Sequence, residues 1–237
     1  VRAYPNQQME MLIDAHNYAF EFLGGTCKRG IYDNMKSAVT TIKSGKDRDF
    51  NESFLGMMNH FMIEPVACTP ASAWEKGQVE RQVRTLRKRF FEPTLSFSTL
   101  EELNHYLTKQ CQILMQEFKH PDNKRQSVYD VWTQEQAVLI PTHPYHWYRP
   151  KLIRVNSLSL VSYLGHKYSV PCHLVGKKIT LQAFATKIKI IYLDQCIAVH
   201  ERSFDKDKSS YNPWHYLKAL NQKPGALRNG EPFLNWQ

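Results

Sequence analysis

Residues Cys27–Val39 read "CKRGIYDNMKSAV". The stretch from Cys27 to Tyr32 predicts a short strand, and at its exit stands a carboxylate, Asp33, followed at once by Asn34. An aspartate there is either part of a surface turn or a metal ligand awaiting a partner. Which of the two holds decides what kind of fold the first half of the chain builds.

The flanking sequence frames that strand with helices. "NQQMEMLIDAHNYAFEFLGG" spaces Met9, Leu12, Ile13, His16, Phe20 and Leu23 as one helical face, and Gly24 and Gly25 end it. In "DFNESFLGMMNHFMI", Asp49 is the expected N-cap with Glu52 three residues on, and Phe54, Met57, Met58 and Phe61 form the buried stripe. "EPVACTP" then predicts a second strand running into a Pro-marked loop. Helix, strand, helix, strand is the pattern of an α/β layered domain.

"EKGQVERQVRTLRKRFF" predicts a long helix with an apolar face of Val79, Val83, Leu86 and Phe90. Ser98 with Glu101 reads as a capping box opening another helix through Leu103, Leu107, Leu114 and Phe118. "SVYDVWTQEQAVL" predicts one more, closed by Pro141. His143 and His146, in the Pro- and aromatic-rich "THPYHWYRP", read as a packed connector. Beyond Pro150 the period changes from helical to alternating. "SLVSYLGHKYSVP", "KKITLQAFATKIKIIYL" and "CIAVHER" predict short strands with turns at Leu164–His166 and Leu193–Gln195, spacing that suits a small barrel. This places a domain boundary near 140–150.

Bulk composition narrows the class. The 237 residues are 42% hydrophobic, enough for one large domain or two smaller ones with real cores. No apolar run is long enough to span a membrane, no signal peptide is visible, and the first residue is Val1, so the chain reads as a piece of something longer. Five scattered cysteines, with no C-x-x-C pair, argue against a disulfide framework or a zinc site and fit a reducing cytosol. The net charge of +9 is uneven: up to Pro150 there are 18 basic and 17 acidic residues, and from Lys151 onward 13 basic and 5 acidic. A basic C-terminal third fits either a polyanion such as nucleic acid or a merely soluble surface.

Asp33 finds a candidate partner in Glu80, early in the long basic helix. A strand-end aspartate and a helical glutamate are what a two-metal phosphoryl-transfer site requires, because hard divalent cations take oxygen ligands. Arg84 and Arg87 follow Glu80 by four and seven residues and share its helical face. Lys76, Arg81, Lys88 and Arg89 bring the count to six basic residues between positions 76 and 89, a density suited to a DNA backbone. Spacing alone equally allows a solvated amphipathic helix with a Glu–Arg pair.

Resemblance separates these readings. "GIYDNMKSAV" and "TPASAWEKGQVERQVRTLRK" resemble the second and third acidic motifs of the DDE transposases and retroviral integrases, and more narrowly of the IstA-type transposases of bacterial insertion sequences. "HNYAFEFLGG" is similar to that family's helix before the second aspartate, and "YSVPCHLVGKKI", "IAVHER" and "HYLKALNQKPGAL" to its C-terminal barrel and tail. The resemblance implies an α/β ribonuclease-H-like catalytic core, partial here, over 1–95, a helical connector over 96–148, and a small all-β barrel with a DNA-binding tail region over 149–237. It makes Asp33 the second metal-binding acid and Glu80 the third, with Glu75 as rival, and calls for two Mg²⁺ or Mn²⁺ ions. The first acid is expected upstream, since Asp14 falls mid-helix. Implied partners are transposon-end and target DNA, further copies of the chain and an IstB-like ATPase helper, in a bacterial, nucleoid-associated cytoplasmic setting. DNA contacts are expected from Asn34, Lys76, Arg81, Arg84, Arg87, Lys88, Lys177, Lys178, Lys187, Lys189 and Arg202, with Lys167 beside them. Two other readings stand against a transposase: a ribonuclease-H-like nuclease that only hydrolyses, and an inactive DNA-binding or oligomerisation fragment.

Overall fold

The computed structural model describes residues 1–32, 38–42, 48–67, 73–92, 94–220, 225 and 230–234, and the backbone alone at 40–42, 48, 67 and 73–81. The chain divides into two compact units, Val1–His146 and Trp147–Gln237.

The first unit opens with α1 (Met9–Leu23), which buries Met9, Met11, Ile13 and Phe20. Gly24, at φ 85°, ends it in the left-handed conformation that glycine adopts without steric cost. Gly24 N–H donates to Glu21 O and Gly25 N–H to Phe20 O, so two terminal carbonyls are satisfied in a Schellman arrangement. Trp132 Nε1–H takes a third, Leu23 O, at 3.1 Å.

After α1 come β1 (Arg29–Tyr32), a hairpin of β2 (Val39–Ile42) and β3 (Arg48–Phe50), then α2 (Glu52–His60) and β4 (Glu64–Ala67). β1 pairs with β4 in parallel, Ile31 opposite Val66, and β2 pairs with β3 antiparallel. The expected helix–strand–helix–strand order holds, with the β2–β3 hairpin inserted where no strand was expected. Phe54, Met57, Met58 and Phe61 of the second helical stripe are all fully buried. Phe61 meets Phe20 of α1 edge to face at 4.8 Å, and Phe54 meets Tyr32 of β1 at 4.9 Å. The cap of α2 is Asn51 and not Asp49: Asn51 Oδ1 accepts from the N–H groups of Ser53 and Phe54, while Asp49 is drawn into β3 opposite Thr41.

Three helices complete the unit: α3 (Ala73–Phe91), α4 (Leu100–Glu117) and α5 (Val128–Glu135). The cap of α4 lies one residue beyond the expected Ser98. Thr99 Oγ1 accepts from Glu102 N–H, and the Glu102 carboxylate reaches back to Ser98 N–H. Ser127 and Asp130 form a reciprocal capping box on α5. Phe90 of α3 is buried against Leu107 and Leu114 of α4. The connector after α5 is fastened to this unit along its length. Thr26 and Ile140 exchange backbone hydrogen bonds at 2.9 Å. Asn17 clamps Tyr145 through both backbone groups, and His60 Nε2 meets His143 O at 2.8 Å. The Pro-rich "THPYH" segment is thus the packed connector that its composition suggested.

The second unit is all-β apart from short helical turns. Strands β5 (Arg149–Arg154), β8 (Lys178–Ala183), β9 (Lys187–Tyr192) and β10 (Gln195–Glu201) form an antiparallel sheet in the order β10–β9–β8–β5. A smaller sheet has the order β11–β7–β6, from β6 (Leu160–Tyr163), β7 (His166–Ser169) and β11 (Ser209–Ser210). Among the described residues the ladders do not close into a barrel. The seven strands divide into two sheets around a shared core. Val161, Tyr163, Tyr168, Leu181, Ile188 and Ile190 fill it. Both expected turns are present as two-residue loops, with Leu164 and Gly165 at φ 50° and 91°, and Leu193 and Asp194 at φ 48° and 60°. Positive φ at both positions gives the twist that matches a right-handed hairpin.

Candidate nucleic-acid interface

β1 delivers the chain to Asp33. Its last residue, Tyr32, packs on Phe54 and stacks on His16 at 5.7 Å, so the strand exit is held between α1 and α2. Burial pushes the Tyr32 phenol up to about 12 and the His16 imidazole below its ordinary value, as expected for groups facing a core. Asp33 and Asn34 lie outside the described residues. So do the side chains of Glu75, Lys76, Glu80 and Arg81, although the backbone of α3 runs through all four positions.

Farther along α3 the side chains are placed. Leu86 and Phe90 face α4, and Arg89 bonds to Glu117 with its guanidinium over the Phe118 ring. Arg84, Arg87 and Lys88 stand exposed. Val83, expected on the apolar face, is 50% exposed, so the packed stripe of the described helix begins only at Leu86. Asp14, the aspartate upstream of β1, is committed elsewhere: Tyr4 Oη donates to it at 2.8 Å and Arg2 lies 3.8 Å away. Burial holds its pKa above the usual carboxylate value. Among the described residues, no three His, Cys, Asp or Glu side chains come together as a metal site.

The basic residues of the second unit segregate by the pleat. Along β9, Ile188 and Ile190 are fully buried while Lys187 and Lys189 face outward, as alternation requires. Both ammonium groups approach the ring of Phe184, at 5.5 and 5.3 Å. Lys177 and Lys178 are exposed at the start of β8, and Lys167 is exposed on the smaller sheet. Arg202 departs from its expected role as a phosphate contact. It is only 8% exposed, its Nη1 donates to Phe184 O at 2.6 Å, and its guanidinium lies over Tyr163 and Phe204. A guanidinium held this way organises the β8–β9 turn and the sheet edge.

Sequence reasoning missed a buried histidine network behind this surface. Ser169 Oγ, at the end of β7, accepts from Asn212 N–H and lies 2.9 Å from His215 Nδ1. His200 Nε2 donates to Ser169 O at 2.7 Å, and His166 bridges Asp205 O and Ser210 Oγ. Burial and then the neighbouring His200 bring the His215 pKa down to about 4, and burial likewise lowers His200. The network ties the 211–216 segment to the two sheets. The one available signal was that His166 and Tyr168 alternate with polar residues in "HKYS".

The chain is similar to known proteins along almost its whole length. Residues 140–212 match the Mu transposase C-terminal domain family. The chain is 40% identical over 240 residues to a transposase of Aminobacter aminovorans, covering 99% of this chain and 47% of that protein. It is 40% identical over 239 residues to the transposase for insertion sequences IS1326/IS1353 of Pseudomonas aeruginosa, covering 98% and 47%. With the transposase for insertion sequence element IS21 of Pseudomonas aeruginosa it shares 28% over 206 residues, covering 84% and 52%. The chain therefore spans about half the length of the curated relatives it matches. Across nearly its whole extent, it is a homologue of the insertion-sequence transposases of the IstA type.

Proposed function

We propose that this chain is the part of a DDE-type transposase that carries the second and third metal-binding acids, Asp33 and Glu80, together with a DNA-binding β unit. The observation that carries the reading is the continuous similarity of almost the whole chain to insertion-sequence transposases. Two further features support it. β1, in a parallel pair and braced by α1 and α2, leads directly into Asp33, and α3 runs through Glu80 before presenting Arg84, Arg87 and Lys88 to solvent.

Two carboxylates suit a hard divalent cation, and Mg²⁺ or Mn²⁺ fits that donor set. When bound, two such ions supply charge stabilisation for in-line attack on a phosphodiester. The chain's own part would be to supply the two carboxylates, one following β1 in sequence and one on α3, and to position DNA through Asn34, Lys76, Arg81, Arg84, Arg87 and Lys88. In the β unit, Lys177, Lys178, Lys187 and Lys189 provide further phosphate contacts, and Arg202 supports them from beneath. Asp14 is engaged with Tyr4 and is not assigned as the first acid. Residues 1–95 would form the partial ribonuclease-H-like core and 96–148 its helical connector. Nucleoid DNA, further copies of the chain and an IstB-like ATPase are the expected partners. No helix among the described residues is long and apolar enough to cross a membrane.

The test is strand transfer by the full-length protein on transposon-end DNA with Mg²⁺. Asp33→Asn and Glu80→Gln should each lower the rate by at least about a hundredfold while leaving DNA affinity within twofold. A Glu75→Gln loss with an unaffected Glu80→Gln would transfer the third position to Glu75. Hydrolysis without joining would favour a nuclease, and metal-independent binding with no cleavage would favour an inactive DNA-binding module.

A further inference from the structure

The outward face of the four-stranded sheet has its own pattern of charge. Residues of even number on β5 and β8, those of odd number on β9, and Val199 and Glu201 beyond the bulge in β10 point away from the core, as the burial of Ile179, Leu181, Ala183, Ile188, Ile190 and Ala198 on the other face shows. At one end of this face Arg154 pairs in register with Lys178, both exposed. At the other end Lys187 and Lys189 gather about Phe184, which Tyr148 flanks at 5.5 Å. Between them lies Thr180, uncharged and half-buried, flanked by Leu152 and Ile191, while Gln182 and Val199 stand on either side of Lys189. The acidic group on this face is Glu201, opposite Lys187.

We propose that this sheet face seats a DNA duplex, with Arg154 and Lys178 contacting one phosphate strand and Lys187 and Lys189 the other, across a single groove. The proposal rests on the DNA-binding reading of residues 147–237 and deepens it. From Lys178 to Gln182 is about 13 Å along the strand, and to Phe184 about 20 Å, at roughly 3.3 Å per residue. That span matches a major groove about 12 Å wide together with the phosphates on its rims. Phe184 is a positioning residue here: holding two ammonium groups at one ring concentrates charge at a point and reduces the entropy lost when a phosphate arrives. Contacts of this kind set register and carry no base information, so the seat accepts many sequences.

The experiment uses the 1–237 chain with a fluorescent 30-base-pair duplex and, separately, one of its strands, each titrated at several salt concentrations. The chain should prefer duplex by about tenfold. R154Q/K178Q and K187Q/K189Q should each lower the slope of log affinity against log salt by about 2 on duplex, at about 0.9 per phosphate contact. Glutamine at these outward positions leaves the core intact, and unchanged thermal midpoints would verify it. Single-strand binding as tight as duplex binding would overturn the two-strand seat. So would a slope lowered by K187Q/K189Q alone, which would leave the DNA reading standing. If neither pair moves affinity or slope, DNA binding by this unit is itself refuted.

Discussion

His215 shows how one residue can set the acid tolerance of the β unit. Its ring is buried beside His200 and shares Ser169 with Asn212. The neutral ring can accept the Ser169 hydroxyl proton at Nδ1, whereas the charged ring cannot. The folded-state pKa of about 4 lies below the ordinary 6.5, so the folded form binds fewer protons than the unfolded form between these values. The stability this residue contributes is complete above about pH 6.5 and is lost as pH falls toward 4. The unfolding midpoint should therefore decline by several degrees between pH 7 and pH 4.5. His215→Gln, which cannot take up the proton, should flatten that decline in differential scanning fluorimetry. Equal pH slopes for the two proteins would assign the acid sensitivity to other groups. Arg202 makes a related point about charge. Its sign is plain in the sequence, but its inward orientation follows from Phe184 O and two aromatic rings that only the folded sheet brings together.

At the scale of elements, the α2 cap carries a clean test. Asn51 satisfies two N–H groups at the start of α2, whose Phe54, Met57 and Met58 are fully buried. Asn51→Ala should cost about 1 kcal/mol in urea unfolding with an unchanged m-value, and Asn51→Asp should recover most of it. A loss no larger than that of a surface alanine substitution would deny Asn51 the capping role. The helices themselves were legible because Phe54, Met57, Met58 and Phe61 recur on one face and two glycines end α1. The cap was misread because Asp49 and Asn51 are both competent acceptors, and the choice between them depends on β3 claiming Asp49. The β2–β3 hairpin went unread because "VTTI" and "RDF" are short, although Ser44–Gly45 between them is a turn-type pair. By contrast, Lys187–Ile190 alternates so regularly that both the strand and the faces of its side chains could be read directly. Alternation does not encode which strands are neighbours, and among the described residues the ladders form two sheets in place of one closed barrel. As for the candidate acids, Asp33 and Glu80 were legible through motif resemblance. Their spacing along the chain allowed a surface turn and a solvated helix equally well.

For the whole molecule, the two units differ in how far apart their pairing partners lie in the chain. In the β unit, β6–β7 and β9–β10 close over two-residue loops, and β8–β9 over a short one. In the first unit the central pair joins β1 to β4, with Arg29 meeting Glu64 across 35 positions, and only after a hairpin and α2 have intervened. Closing the longer loop costs on the order of 2 kcal/mol more before any contact offsets it. Hairpins form in roughly 1–10 μs, while pairing across a long separation waits for a compact intermediate. Refolding followed by tryptophan fluorescence should then show a fast phase from the β unit and a slower one from the helical unit. Replacing Trp74 and Trp132 by Phe should remove most of the slow amplitude and spare the fast one. A single phase that both replacements leave unchanged would show that the units fold together. The parallel strand that leads to Asp33 would thus be among the last parts of the chain to settle. During synthesis the order would reverse: β1 and β4 leave the ribosome before β5 is made, so at roughly 5–20 residues per second the first unit has seconds to pair its strands before the β unit exists.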